Sequence, residues 1–271
     1  MKLTKNRAIT LAFCIAALCS LLLAVPLLAP PTPDMQTAIT NAINYLENSD
    51  EPYALLWLDI IYRRFGIEEF SDALPRYDQL LDEQQVQWSL LNVFRRISVY
   101  DNPMQANVLD DVLAPTDIII SRALYCERYG LPHDYSTVLE DAVNKGEYYL
   151  THVLLACIWI QENGCEVALT NGFVDEVYRA TAVIVNRNPM IVDDLTLEAA
   201  AFLYMAGQGE RVNPSFVNRV LASQNDDGGW EEDPDSKEGS YWHSTILGLL
   251  LLLHIEYPAS SYPPVLATPT Q

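Results

Sequence analysis

Four segments of this chain are strongly apolar nearly all round: DIIISRALYCERYG, YLTHVLLACIWI, LTLEAAAFLYMA and HSTILGLLLLLHI. A helix of that kind has no face to give to water and must be surrounded by protein. Between them lie segments with one apolar stripe and one polar face, such as MQTAITNAINYLEN, GFVDEVYRATAVIVN and SFVNRVLASQ. Apolar residues recur at three- and four-residue spacing throughout, which predicts helix, and little strand-like alternation is present. Buried and half-buried helices in alternation predict two concentric layers, an inner ring of apolar helices inside an outer ring of amphipathic ones. The inner helices are expected to begin near Pro52, Asp117, Thr151, Asp194 and Ser240. The later intervals are about 34, 43 and 46 residues, the length of one helix pair. Residues 70–112 fit this repeat worst.

Turn-forming clusters punctuate the pattern at 48–52, 65–70, 101–103, 113–117, 129–134, 162–164, 186–190, 207–214 and 225–239. The proline-rich segment 258–271 predicts an irregular tail. The helical domain is therefore expected over 35–257.

Residues 8–29 carry no charge for 22 positions, enough to cross a bilayer as one helix. Lys2, Lys5 and Arg7 precede this segment, and the first acid, Asp34, follows it. That asymmetry predicts residues 1–7 in the cytoplasm, 8–29 as a transmembrane anchor, 30–34 as a stiff spacer and the body outside. The alternative is a signal peptide cleaved after Ala29, giving a secreted body. Leu27 and Pro30 are unfavourable around such a cut.

Beyond the hydrophobic segment 13 basic residues face 36 acidic ones. Such a surface repels phosphate backbones and excludes nucleic acid as a partner. Among five cysteines, Cys126, Cys157 and Cys165 lie in the body. With no metal-binding spacing, three buried free thiols are expected; one bridge plus a spare thiol is the alternative in an oxidising compartment.

The stretch VLASQNDDGGWEEDPDSKEGSYWHSTILGLLLLL (220–253) has a helix ending in Gln224, a turn with Gly228, Gly229 and Trp230, then an apolar helix. It resembles the repeat of the squalene cyclase and protein prenyltransferase superfamily, and the resemblance implies an all-α fold, an α/α toroid of about five to six helix pairs. Just before it, IVDDLTLEAAAFLYMA (191–206) resembles the acidic motif Asp-x-Asp-Asp-Thr-Ala of squalene-hopene cyclases. Asp193 and Asp194 match its last two acids, which implies a catalytic role with Asp193 as proton donor. Ile191 replaces the first acid and Leu195 displaces the threonine by one place. SYWHSTILGL (240–249) is similar to the prenyltransferase segment that carries a zinc-binding histidine, here His243. The Asp-x-Cys pair that completes that zinc site is absent, and Asn163-Gly164-Cys165 is its nearest approximation.

In a toroid the N-termini of the inner helices meet at one mouth, so Asp117, His152, Asp193, Asp194 and His243 can converge. His152, His243 and Asp117 suit zinc or another divalent ion. Tyr148, Tyr149, Tyr241 and Trp242 supply aromatic surface for a cationic or carbocationic group. The plainer reading keeps the aspartates as helix N-caps and bonds both histidines to backbone. His133 is expected in a loop, His254 late in a helix, Cys157 in core packing, and the acidic run 231–238 as a solvated loop. No GxSxG, HExxH or phosphate-cradling loop occurs. The functional expectation is a binding or scaffold module that presents its mouth to a peptide, lipid or protein partner at the membrane. The alternative is an isoprenoid- or lipid-modifying or metal-dependent enzyme.

Overall fold

The computed structural model describes residues 33–83, 90–235 and 238–269. Twelve α-helices follow in order: α1 (Met35–Leu46), α2 (Pro52–Phe65), α3 (Ala73–Glu83), α4 (Leu90–Phe94), α5 (Pro115–Leu124), α6 (Cys126–Tyr129), α7 (Tyr135–Lys145), α8 (Glu147–Glu162), α9 (Phe173–Asn186), α10 (Asp194–Met205), α11 (Pro214–Ala222) and α12 (Trp242–Glu256). Short 3₁₀ turns cover Glu68–Phe70, Arg95–Ile97, Ala106–Asp111 and Gly209–Arg211. The described residues are all-α apart from one short hairpin of two-residue strands, β1 (Trp230–Glu231) against β2 (Ser240–Tyr241). The expected anchor at 8–29 lies outside the described residues. Among the described residues no helix is long and apolar enough to cross a membrane.

The helix ends follow local chemistry. Proline occupies the first helical position of α2, α5 and α11, where its missing N–H costs nothing. Asp34 and Asn213 cap α1 and α11 through their side chains. Gly66 ends α2 in the left-handed conformation at φ 69°. Two expected starts move. The inner helix expected from Thr151 begins at Glu147, because Gly146 at φ 71° breaks the chain between α7 and α8. The helix expected from Ser240 begins at Trp242, because Ser240 and Tyr241 pair with Glu231 and Trp230 first.

The two helix kinds differ in burial as their patterns predict. In α12 every residue from Ser244 to His254 is buried, and α10 is buried on all sides. The outer type buries one stripe: Ala38, Ile39, Ala42 and Leu46 in α1, and Phe173, Val177, Thr181, Ala182 and Val185 in α9. Six segments contact one another in cyclic order: α2, α4, α5, α8, α10, α12 and back to α2. Helices α1, α3, α7 and α9 pack on the members of that cycle. The sixth member, α4, is five residues long, and its turn of apolar pattern falls in the stretch that fitted the repeat worst.

The turn after α11 is built for close approach. Gln224 donates from Nε2 to the carbonyls of Ala38 and Gly228, at 2.8 and 2.9 Å, so it bonds across to α1. A Cβ on Gly228 would stand 2.3 Å from the Asn41 carbonyl oxygen, and Gly228 has φ +94°. Trp230 is buried, donates its indole N–H to the Val220 carbonyl and packs where Gly248 leaves room in α12.

Two expectations need correction. Cys126 and Cys165 form a disulfide, so only Cys157 is a free thiol in the body. The kink at Tyr125 and the turn after α8 bring their Cα atoms to 6.2 Å. The tail is irregular in backbone yet integral to the unit. Val265 and Leu266 are buried, and their N–H groups donate to the Glu162 carboxylate at 2.8 and 2.9 Å. Arg63, Arg64 and Arg96 donate to tail carbonyls, and Ala267 N–H bonds to the Ile97 carbonyl. An irregular segment survives in a dry site because side chains satisfy its backbone.

Candidate functional site

A cavity of about 280 Å³ lies inside the cycle of helices, and every member contributes to its wall. Tyr53, Leu56, Trp57 and Ile60 come from α2, Phe94 and Ile97 from α4 and its turn. Asp117 and Ile120 come from α5, and His152, Leu155 and Trp159 from α8. Glu198 and Phe202 come from α10, and Trp242 and His243 from α12. The polar lining comes from the first halves of the helices, and the apolar lining from positions further along. The cavity is therefore acidic and histidine-bearing at one end and hydrocarbon elsewhere.

The polar end is organised around Asp194, the first residue of α10. Its carboxylate accepts from Tyr148 Oη at 3.0 Å, Ser244 Oγ at 2.7 Å and His243 Nδ1 at 2.9 Å. Its backbone N–H donates to the Glu232 carbonyl at 2.9 Å, which ties the site to the acidic loop. Burial alone would raise the Asp194 pKa, but His243, Ser244 and Tyr148 outweigh it and hold the carboxyl below its ordinary range. Burial likewise opposes charge on His243. The Asp194 bond and charge, joined by Glu198 and Glu232, overcome it and raise the imidazole above its ordinary value. The same carboxylate, with burial, pushes the Tyr148 hydroxyl far up, so it stays a donor.

With Nδ1 directed at Asp194, His243 turns Nε2 toward Glu198 Oε2 at 3.7 Å. Glu198 is buried, and its other oxygen is bonded by Thr151 Oγ1 and lies 3.5 Å from His152 Nδ1. His152 Nδ1 sits 2.8 Å from the Tyr148 carbonyl. A carbonyl only accepts, so Nδ1 carries the proton and Nε2 holds the lone pair in the neutral ring. Asp194, Glu198 and His243 offer ligand atoms that lie within 4.8 Å of one another. A zinc ion with bonds of about 2.0–2.2 Å draws its ligands to roughly 3.5 Å apart, so the donor set fits a divalent ion after side-chain shifts below an ångström or so. Glu198 and His243 would hold it. Asp194 would either join them or orient His243 from behind, as carboxylates behind ligating histidines do.

The residues singled out by pattern have different fates. Asp194, His243, His152 and Asp117 come to one end of the cavity. Asp193 is the N-cap of α10, its carboxylate locked in a capping box with Thr196 at 2.8 Å. The bonds of that cap go to Asp193 Oδ1, and Asp193 is not in the cavity lining. Asp117 is not a cap, since Ala114 occupies that position, and its carboxyl is raised by burial, with His152 opposing. Trp242 lines the cavity. Tyr241 packs on the Trp242 and His243 rings outside the lining, and Tyr149 lies under Lys145 Nζ at 4.6 Å, away from it. Asn163 bonds the carbonyls of Ala123 and Leu124, and Cys165 is in the disulfide, so neither replaces the missing zinc pair.

Glu198 escaped the pattern reading. It is the one charge inside an apolar helical run and stands four residues after Asp194, hence on the same face. That spacing was legible. Ser244 and Thr151, which position the carboxylates, carry no signal of their own. Comparison with protein-family models, with curated proteins and with solved structures finds no match to this chain.

Proposed function

We propose that this chain is an α/α toroid tethered to the outer face of a membrane, and that its central cavity binds an apolar ligand presented there. The observation that carries the reading is the cavity wall, to which all six members of the helix cycle contribute. The cyclic order of contacts, with amphipathic helices outside, supports the toroid. The uncharged segment 8–29 behind three basic residues supports the tether, and the Cys126–Cys165 bridge supports an oxidising compartment. Among the lining residues there is no Lys or Arg. His152 and His243, also in the lining, already face Glu198 and Asp194. A phosphate or diphosphate head there would meet two carboxylates with no cation to spare, which argues against the diphosphate substrates of prenyltransferases. The ligand is hydrocarbon with a neutral or cationic polar end.

Trp57, Trp159 and Trp242 line the cavity and report on its contents. Full-length protein in lipid nanodiscs, titrated with octan-1-ol, should give a saturable change in tryptophan emission. A Leu155→Trp variant, which fills the cavity, should abolish it. A response that never saturates, or that survives in the filled variant, sinks the reading.

The Asp194–Glu198–His243 cluster favours a second reading, a metal-dependent enzyme of the same superfamily. Elemental mass spectrometry on chelator-free protein, beside Glu198→Gln and His243→Ala variants, decides it. Near-stoichiometric zinc lost in both variants supports the metal. A metal-free, folded protein removes it.

A further inference from the structure

The same cavity carries a more specific instruction about its ligand, and the inference rests on reading it as a ligand site. Three observations bear on it. First, Asp117 has no hydrogen-bond or ion-pair partner among the described residues, although it lines the cavity and is partly buried. Glu198, Tyr53, Trp57 and Trp242 line the same cavity. Glu198 already lies beside both histidines, 3.7 Å from His243 Nε2 and 3.5 Å from His152 Nδ1, so Asp117 is the carboxylate of the lining left without a bonded partner. Second, Trp159 is 1% exposed, lines the cavity, and its indole N–H has no partner among the described residues. A buried donor without an acceptor is costly and is normally satisfied by something bound. Third, dimensions limit what fits. Tyr53 and Ile60 on α2, like His152 and Trp159 on α8, are seven residues apart and all line the cavity. At 1.5 Å per residue each pair spans about 10 Å.

We infer that the cavity selects an amphiphile with a cationic, ammonium-type head held by Asp117 among the lining aromatic residues, and with an oxygen acceptor about 10 Å further along that takes the Trp159 N–H. A quaternary ammonium suits the site because aromatic faces and carboxylates bind it without requiring a donor from it.

Four probes of equal chain length test this on full-length protein in nanodiscs, with tryptophan emission as readout. They are 8-hydroxyoctyl-trimethylammonium, octyl-trimethylammonium, octane-1,8-diol and 8-hydroxyoctyl sulfate. The hydroxylated cation should bind about tenfold or more tighter than the diol, and the sulfate should not bind. Asp117→Asn should weaken the cations by about tenfold and change the diol less than twofold. Trp159→Phe keeps the ring and removes the N–H; it should cost the hydroxylated cation about fivefold and leave octyl-trimethylammonium unchanged. Equal binding of diol and cation, or preference for the sulfate, overturns the inference while leaving an apolar site standing. Equal affinity of the two cations shows that the Trp159 N–H is met by water and overturns the acceptor. If no probe binds, the cavity is not a ligand site, and the proposed function falls first.

Discussion

His254→Gln should abolish a loss of stability that the native chain suffers between pH 7 and pH 5. His254 is 3% exposed near the end of α12. Its Nδ1 lies 2.7 Å from the Leu250 carbonyl and its Nε2 3.3 Å from Arg64 Nε. The carbonyl must receive a proton and the guanidinium must give one, so the ring is neutral in the fold. Burial, despite the Leu250 bond and with help from Arg64, brings its pKa down to about 4. The unfolded chain takes up the proton near pH 6.5. A depressed histidine contributes fully above the unfolded value and loses that contribution as pH falls toward the folded one. Each pH unit in that window costs about 1.4 kcal/mol, so the drop from pH 7 to pH 5 costs about 2 kcal/mol. Glutamine offers an N–H to Leu250 and an oxygen to Arg64 without titrating. His243, whose pKa is raised, contributes stability that is present at acid pH and lost as pH rises, the opposite trend. It is common to both proteins and cancels in the comparison. Urea unfolding of full-length protein in detergent, followed by near-UV circular dichroism at both pH values, measures the difference. Parallel pH dependence of the two proteins to within about 0.5 kcal/mol would refute the claim that His254 is held neutral.

The disulfide closes a loop over a sequence separation of 39, and the Cys126→Ser/Cys165→Ser double variant should lose about 3–4 kcal/mol in the same urea assay. Gly228→Ala should cost at least about 2–3 kcal/mol, from a left-handed backbone and from a Cβ pressed on the Asn41 carbonyl; a thermal-melt shift checks it. Ending the chain after Tyr257 removes the buried Val265 and Leu266 side chains and the two N–H groups whose bonds Glu162 accepts. Loss of that apolar burial should destabilise by about 3–5 kcal/mol and open the end of α8 to limited proteolysis.

The helical class and its two kinds of helix were legible because burial imposes a period of 3.6 residues, and a helix with no polar face can only be interior. The starts of α2 and α10 were legible for a similarly local reason, since proline and an aspartate cap act within one turn. The start of α8 lies four residues before its apolar run because Gly146 breaks the chain there, and that of α12 lies two residues after Ser240 because Ser240 and Tyr241 are claimed by a strand partner about ten residues back. The candidate site divided in the same way. Asp194, His152 and His243 stood out as polar residues at apolar helix starts. Asp193 stood out equally and is spent on its own helix cap.

What the chain's own pattern determined, then, is everything governed by neighbours within a turn or two: which segments coil, which must be interior, where most stop, and where the net negative charge lies. The tertiary structure decided what depends on pairs distant along the chain. It set Glu198 beside His243 and joined Cys126 to Cys165. It carried the irregular tail back onto Arg63, Arg96 and Glu162, and among the described residues it left the Asp117 carboxylate and the Trp159 N–H without hydrogen-bond partners on a cavity wall. The physical reason is that a carboxylate, a thiol or an indole N–H is ambiguous alone. Its role follows from whichever group the packing of apolar helices brings within about 3 Å of it.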